Sequence, residues 1–210
     1  MLAGTAVAVA LIAYYLIAWV FSYPPGVTPA TAAGTADVTL ETVAGYGHAP
    51  HQSWVTYLVQ DASGAWHHTT IIDVPAHSLV KVTVYNFDGD SGLRNPLWAK
   101  PIGVEGGTIE VDGQTVSSIS GDAASHTFAI PDLHVSVPIK GVDDNAPQQC
   151  DSPTPCPMSN AHTTTTFTIR TGKPGHYRWQ CFVPCAAGFL NGFGGPMQTV
   201  GYMDGYLNVG

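Results

Sequence analysis

The chain has 210 residues, of which 45% are hydrophobic and 10% charged, and its formal net charge is −8. Glycine contributes 23 residues and proline 16, a composition typical of short strands joined by many turns. The acidic balance argues against a nucleic-acid partner, because such partners require a basic surface. The length suits one domain with a small additional segment.

The N-terminal stretch is uncharged, since residues 2–23 contain no Asp, Glu, Lys or Arg. As a helix it would extend about 33 Å, enough to cross a hydrocarbon core of about 30 Å. A cleaved signal peptide is the alternative, but it would carry a basic segment before a shorter apolar run. We therefore predict that residues 1–23 form a single-pass anchor in the cell membrane. Four cysteines suit an oxidising compartment, so the C-terminal domain is expected to be extracytoplasmic.

Beyond the anchor, residues 24–36 are predicted to form a small-residue linker and residues 37–210 a single domain. Alternating apolar and polar residues with β-branched and aromatic content predict strands in this domain. Asp112-Gly113 supplies the positive φ angles of a two-residue hairpin turn. Short strands separated by turns indicate an all-β, Greek-key β-sandwich. The predicted strands cover residues 54–59, 67–74, 79–87, 108–111, 114–116, 125–130, 163–170, 177–182 and 199–209.

The last third of the domain carries a set of soft metal ligands. Cys181 and Cys185 lie four positions apart in a turn after a β-rich run, and Met197 follows. Thiolate and thioether sulfur together select copper. Proteins that use this donor set take it from one loop between the last two strands of a sandwich, and an imidazole from an earlier strand completes the site. The candidate imidazole is His126.

Three sequence motifs carry a family resemblance: Asn86-Phe87-Asp88, His126-Thr127-Phe128-x-Ile130-Pro131 and Gly175-x-Tyr177-x-x-x-Cys181-x-x-x-Cys185. With them, residues 79–210 resemble the cupredoxin domain of subunit II of haem–copper respiratory oxidases. The resemblance implies a cupredoxin-like β-sandwich that follows one N-terminal transmembrane helix. It also implies a subunit that passes electrons to a membrane complex and is not a catalyst by itself.

The resemblance further implies a dinuclear copper centre. Its ligands would be the side chains of His126, Cys181, Cys185 and Met197 and the backbone carbonyl of Val183. The family's second histidine has no counterpart, because the position four residues after the second cysteine is Phe189. One copper of the pair would therefore lack a ligand.

The implied partners are the other subunits of a membrane oxidase or respiratory complex, with a cytochrome c or a small copper protein as electron donor. The alternative is a metal-free accessory subunit that keeps the fold and joins Cys181 to Cys185 in a disulfide. Cys150 and Cys156 are predicted to form a separate structural disulfide. Two histidine pairs, at 48/51 and 67/68, are predicted to be solvated or hydrogen-bonded and not to form a second metal site.

Overall fold

The computed structural model describes residues 2–20, 24–46, 53–150, 155–185 and 194–210. Within these residues the chain forms one α-helix, a short π-helical turn and two β-sheets. The helix α1 spans Leu2–Tyr15 and the π-helical turn Leu16–Val20. The strands are β1 Ala30–Ala32, β2 Thr35–Tyr46, β3 Trp54–Gln60, β4 Trp66–His67, β5 Ile71–Val74, β6 Leu79–Asn86, β7 Ile109–Val111, β8 Gln114–Val116, β9 Ala124–Ile130, β10 Val135–Lys140, β11 Thr163–Arg170, β12 Gly175–Gln180 and β13 Asp204–Val209. Single 3-10 turns cover Pro96–Trp98, Glu105–Gly107, Pro131–Leu133 and Gly195–Gln198.

The strands are divided between two mixed sheets. The larger sheet has the order β4-β3-β2-β6-β11-β7-β8, with β1 paired to β2, and the smaller has the order β10-β9-β12-β13-β5. Each sheet contains one parallel pair, β2 with β6 and β13 with β5, and the other pairs are antiparallel. The predicted all-β sandwich is therefore confirmed at the level of its architecture.

The two sheets bury a common apolar core. Strand positions two apart point to the same face of a sheet, and in β6 and β11 alternate residues are buried while their neighbours are partly exposed. Aromatic rings from both sheets meet in this core, where Trp179 contacts Tyr57 and Phe128 at centroid distances of 5.1 and 4.7 Å. The core includes Leu40, Tyr57, Val82, Phe128, Ile139 and Trp179.

The predicted hairpin is confirmed, since Asp112 and Gly113 join β7 to β8 with φ angles of 51° and 77°. The strand predicted at residues 67–74 was wrong as a single element, because β4 belongs to the larger sheet and β5 to the smaller. The reason is long-range hydrogen bonding at the break. The hydroxyl of Thr70 accepts from the N–H of Gly201 at 2.6 Å and donates to the carbonyl of Asp204.

The stretch predicted as a linker, residues 24–36, lies against the sandwich. It contributes β1 and the start of β2, and Val27 is buried and bridges Ile72. The side chains of residues 4–18 in the N-terminal helix are exposed. Among the residues that the structure describes, no helix is both long and apolar enough to cross a membrane, and residues 1 and 21–23 of the predicted anchor lie outside that set.

The outer face of the larger sheet carries a small second core beneath the predicted disulfide. Cys150 and Cys156 are bonded, which confirms that pairing. The N–H of Cys156 donates to the carboxylate of Glu41, a fully buried residue of β2. Burial raises the pKa of Glu41 to about 7, although the hydrogen bond from Cys156 opposes the shift. The other oxygen of this carboxylate, Oε2, has no hydrogen-bond partner among the described residues.

Candidate metal centre

His126 is placed at one end of the sandwich by β9. Every residue of this strand is buried, so the imidazole lies inside the protein with only 3% of its side chain exposed. Its Nδ1 atom is 3.2 Å from Sγ of Cys185 and 3.9 Å from Sγ of Cys181. The structure therefore brings the predicted imidazole to the predicted cysteine pair, across a separation of more than fifty residues in the chain.

The two cysteines lie at the end of β12, where the chain leaves the sheet through Phe182-Val183-Pro184. Their sulfur atoms are 3.4 Å apart and both thiols are free. The disulfide considered as the alternative pairing of Cys181 and Cys185 is therefore not present. The carbonyl oxygen of Val183 lies 3.4 Å from Sγ of Cys181 and 3.0 Å from Sγ of Cys185. All four predicted donors from these two segments thus converge.

This donor set fits one soft metal ion. The ligand atoms of His126, Cys181 and Cys185 all lie within 4.8 Å of one another, and all three residues are buried. Donors that share one ion at bonds of about 2.0–2.3 Å lie roughly 3–4 Å from each other in a tetrahedral arrangement. Thiolate and imidazole ligands together are suited to copper and to zinc. The observed spacings therefore need little adjustment to hold such an ion.

The same contacts set the charges of the three side chains. Burial alone would lower the pKa of His126, but hydrogen bonds to Asp88 and Cys181 outweigh it and raise this pKa to about 9. Burial likewise opposes ionisation of Cys181, yet hydrogen bonds from Cys185 and His126 hold its pKa well below the usual value. The hydrogen bond to Cys181, followed by burial, raises the pKa of Cys185. The site therefore favours one thiolate beside an imidazolium.

Backbone and aromatic groups around the sulfurs fix the geometry further. The N–H of Thr127 points to Sγ of Cys181 at 3.4 Å, and its hydroxyl accepts a 2.8 Å hydrogen bond from the N–H of Phe182. The ring of Tyr57 meets the His126 ring edge-on at 6.2 Å, and its hydroxyl donates to the Thr127 carbonyl. These contacts tie the cysteine turn to β9 and to the opposite sheet.

Two methionines lie in or against the core that contains the cysteines. Met197, the predicted ligand, lies in the 3-10 turn Gly195–Gln198, is half-buried and packs on the core. Met203 is fully buried in the same core as both cysteines and directly precedes β13. The sequence analysis considered Met197 alone as the thioether and did not consider Met203.

No second imidazole joins the group among the residues that the structure describes. His162 lies against the rings of Tyr85 and Phe87, with Nδ1 at 2.8 Å from the carbonyl of Asn160. His67 contacts Asp61 at 2.7 Å, as expected for a hydrogen-bonded histidine. Residues 48 and 51 lie outside the described residues. The described donors therefore give no support to the dinuclear nature of the predicted centre.

A carboxylate that sequence reasoning left without a role completes the arrangement. Asp88 follows β6, and its Oδ2 lies 3.1 Å from Nε2 of His126. Burial alone would raise the pKa of Asp88, but its contact with His126 outweighs burial and lowers that pKa. A cavity of about 330 Å³ lies beside the centre and is lined by Asp88, Asp90, Ser125, His126 and Cys185, among others. It connects the exposed Asp90 with the buried ligands.

Comparison with known proteins finds matches among solved structures. No protein-family model and no curated protein matches the sequence. Among solved structures, rusticyanin from Thiobacillus ferrooxidans is 16% identical, with 89% of this chain and 84% of that chain covered and a TM-score of 0.37. Reduced rusticyanin gives 16% identity, 87% and 83% coverage and a TM-score of 0.35. A third structure, described as the copper protein rusticyanin, is 15% identical, with 87% of this chain and 81% of that chain covered and a TM-score of 0.35.

The fold explains how the predicted donors meet. A two-sheet sandwich brings an imidazole from β9 to a cysteine pair between the last two strands, β12 and β13. This is the arrangement that the sequence motifs predicted.

Proposed function

We propose that this protein is a copper-binding electron carrier with a single copper ion at the end of its β-sandwich. One observation carries the proposal. An imidazole nitrogen and two sulfurs, from segments distant in sequence, meet at 3.2–3.9 Å in a buried site. Thiolate and imidazole are ligands that suit copper.

Each residue of the site has a distinct proposed role. His126, Cys181 and Cys185 would hold the ion, and the Val183 carbonyl and a thioether would complete its surroundings. Copper supplies one-electron chemistry when bound. The protein's part is to keep the donors fixed, since a ligand set that does not move requires little reorganisation when the charge of the ion changes. Burial of the three ligands within the sandwich serves that purpose.

The proposal extends to the setting of the domain. We propose that the uncharged N-terminal segment tethers the sandwich to the extracytoplasmic face of the cell membrane. There the domain would act as a subunit of a respiratory oxidase, with a cytochrome c or a small copper protein as its donor. The exposed apolar side chains of α1, among them Val7, Leu11 and Ile12 at about 60% exposure, support a lipid-facing role.

Metal analysis of the purified full chain tests the copper centre. We expect one copper per chain, visible absorption from sulfur-to-copper charge transfer, and the hyperfine pattern of one copper nucleus. The change Cys181→Ser should abolish all three. The matched control is Cys150→Ser combined with Cys156→Ser, which removes two sulfurs elsewhere and should leave the copper content of the folded protein unchanged. A wild-type chain that binds no copper, or retains zinc against excess copper, would overturn the proposal.

Membrane attachment is tested by fractionation of cells that express the full chain. The protein should remain in the membrane fraction after an alkaline wash, which removes peripheral proteins. A charged residue in the apolar helix, as in Leu11→Lys, should release it, because lysine at the centre of a spanning helix costs about 2.5–3.5 kcal/mol. The matched surface change Leu97→Lys, which alters an equally exposed leucine of the domain, should not. Recovery of the wild type in the soluble fraction would contradict the tether.

A further inference from the structure

We propose that Asp88 is a positioning residue of the metal centre, which holds the His126 ring with Nδ1 toward the sulfurs and strengthens its donation to the metal. The proposal deepens the function proposed above and rests on it. It is carried by two distances on opposite sides of one buried ring. Nε2 lies 3.1 Å from Oδ2 of Asp88, and Nδ1 lies 3.2 Å from Sγ of Cys185.

The ring has little freedom to adopt another orientation. A flip would exchange carbon and nitrogen positions and leave the Asp88 carboxylate and the cysteine sulfurs facing C–H groups. Buried polar groups that lose a charged partner are costly. Because 3% of the His126 side chain is exposed, water cannot easily replace either contact. Asp88 therefore selects which nitrogen faces the metal.

Asp88 is itself held rigidly. Its Oδ1 accepts a 3.0 Å hydrogen bond from the N–H of Gly89, and its carbonyl accepts from the N–H of Val142 at 2.9 Å. The side-chain amide of Asn86 donates to the Asp88 carbonyl and to the Lys140 carbonyl, both at 2.9 Å. The support therefore comes from the end of β6 and from the end of β10 in the opposite sheet.

That support reaches a third strand. Asn86 is fully buried, and its Oδ1 atom accepts a hydrogen bond from the hydroxyl of Thr42 in β2. A continuous chain of hydrogen bonds thus runs from β2 through Asn86 and Asp88 to the imidazole of His126. A side chain fixed by such a chain keeps its orientation better than one held by a single contact.

The physical effect follows from charge. A carboxylate on the far nitrogen of a ligand imidazole fixes the ring and increases its basicity. The added negative charge stabilises the more positive, oxidised ion over the reduced one. Asp88 should therefore increase copper affinity and lower the reduction potential. Its side chain is 33% exposed, so solvent weakens this effect without removing it.

Asp90 provides a matched control. It lines the same cavity and carries the same charge, but it lies on the exposed side and contacts Gly141 at that end. No hydrogen bond joins Asp90 to His126 among the described residues. The change Asp90→Asn removes one charge from the cavity and leaves the imidazole contact intact.

The experiment uses copper-loaded full chains of the wild type, Asp88→Asn, Asp88→Ala and Asp90→Asn. We expect Asp88→Ala to lose about 10–100-fold in copper affinity, the usual cost of removing an outer partner of a ligand histidine. Asp88→Asn, which keeps a hydrogen-bond acceptor but loses the charge, should raise the reduction potential clearly more than Asp90→Asn does. Equal shifts for Asp88→Asn and Asp90→Asn, or unchanged affinity in Asp88→Ala, would overturn the proposal.

A measurement on the metal-free chains separates this proposal from the copper proposal itself. NMR of the His126 ring should show one orientation in the wild type and in Asp90→Asn, and exchange between orientations in Asp88→Ala. If the wild type binds no copper but the ring behaves in this way, the copper function fails while the positioning role stands. A ring that stays in one orientation in Asp88→Ala would overturn the positioning role. Far-UV circular dichroism and urea unfolding confirm that each compared variant is folded.

Discussion

Met203 lies directly opposite Cys181 in the antiparallel pairing of the last two strands. The N–H of Cys181 donates to the carbonyl of Met203 at 2.9 Å, one step beyond the paired residues Gln180 and Asp204. Residues directly opposite in an antiparallel pair project their side chains from the same face of the sheet. Both residues are fully buried, so the thioether and the thiol lie on the core side together.

This relationship predicts that Met203, and not Met197, supplies the weak sulfur contact to copper. In Met203→Leu the charge-transfer spectrum and the reduction potential should both change, because a weak thioether ligand tunes the potential of a copper site. Met197→Leu serves as the control and should leave both properties within error of the wild type. Exchange of Met for Leu nearly conserves volume and costs less than about 1.5 kcal/mol. A response in Met197→Leu alone would assign the ligand to the 3-10 turn.

The buried carboxylate of Glu41 predicts how stability depends on pH. Its pKa is raised to about 7 in the folded protein from an ordinary value of 4.5, so the folded state holds a proton that the unfolded state releases. This contribution to stability is complete below pH 4.5, declines as the pH rises, and is lost above about pH 7. Glu41→Gln removes the ionisation and should flatten the profile.

Urea unfolding at several pH values measures this effect. Glu41→Gln should resemble the wild type at pH 4 and exceed its stability at pH 8 by on the order of 1–3 kcal/mol. Glu110→Gln is a suitable control, because Glu110 is an exposed residue of β7. If the stability of the wild type relative to Glu41→Gln increases between pH 5 and pH 7, the buried-acid explanation is contradicted.

Gly205 permits a close approach between β13 and the segment before β5. A Cβ atom at this position would lie 2.0 Å from the carbonyl oxygen of Thr70, which also accepts the indole N–H of Trp179 at 3.0 Å. Gly205→Ala should therefore destabilise the protein by about 1–3 kcal/mol, the usual cost of overpacking. Gly172→Ala is the control, since nothing lies within 4 Å of its added Cβ. Equal melting temperatures for the two variants would contradict the prediction, because they would show that the backbone accommodates the added Cβ of residue 205 without loss of stability.

The ion pair between Arg178 and Asp204 predicts that replacing the two partners has unequal effects on stability. The guanidinium donates from Nε to Oδ1 at 2.9 Å and from a terminal nitrogen to Oδ2 at 2.5 Å. The carboxylate is 2% exposed and the arginine side chain 44%. Arg178→Met leaves the buried carboxylate of Asp204 without its main partner, which costs about 3–5 kcal/mol. In Asp204→Asn the charge left over is that of the arginine, which is partly exposed to water, so this change should cost less. Chemical unfolding should therefore rank Arg178→Met as the less stable variant, and the reverse order would refute this account.

Local patterns in the sequence determined most of the sandwich strands. β-branched residues alternate with polar ones in β6 and β11, and Asp112-Gly113 has the backbone freedom that a two-residue turn requires. These signals are local, so they can be recognised in the sequence without knowledge of the fold. The strand β2 was not predicted, because it carries Glu41 and Thr42, polar residues that become buried through the disulfide and Asn86. Their burial depends on distant segments.

The sequence by itself determined which donors the protein has: one cysteine pair at a strand end, and His126 on an earlier strand. Each residue type has its own donor atoms whatever the fold, so the sequence alone shows which donors are available. Tertiary structure decided that the two thiols remain free, that Met203 faces Cys181, and that Asp88 holds the imidazole. Each of these depends on the register and packing of strands far apart in the chain, and register is set by the whole core and not by neighbouring residues.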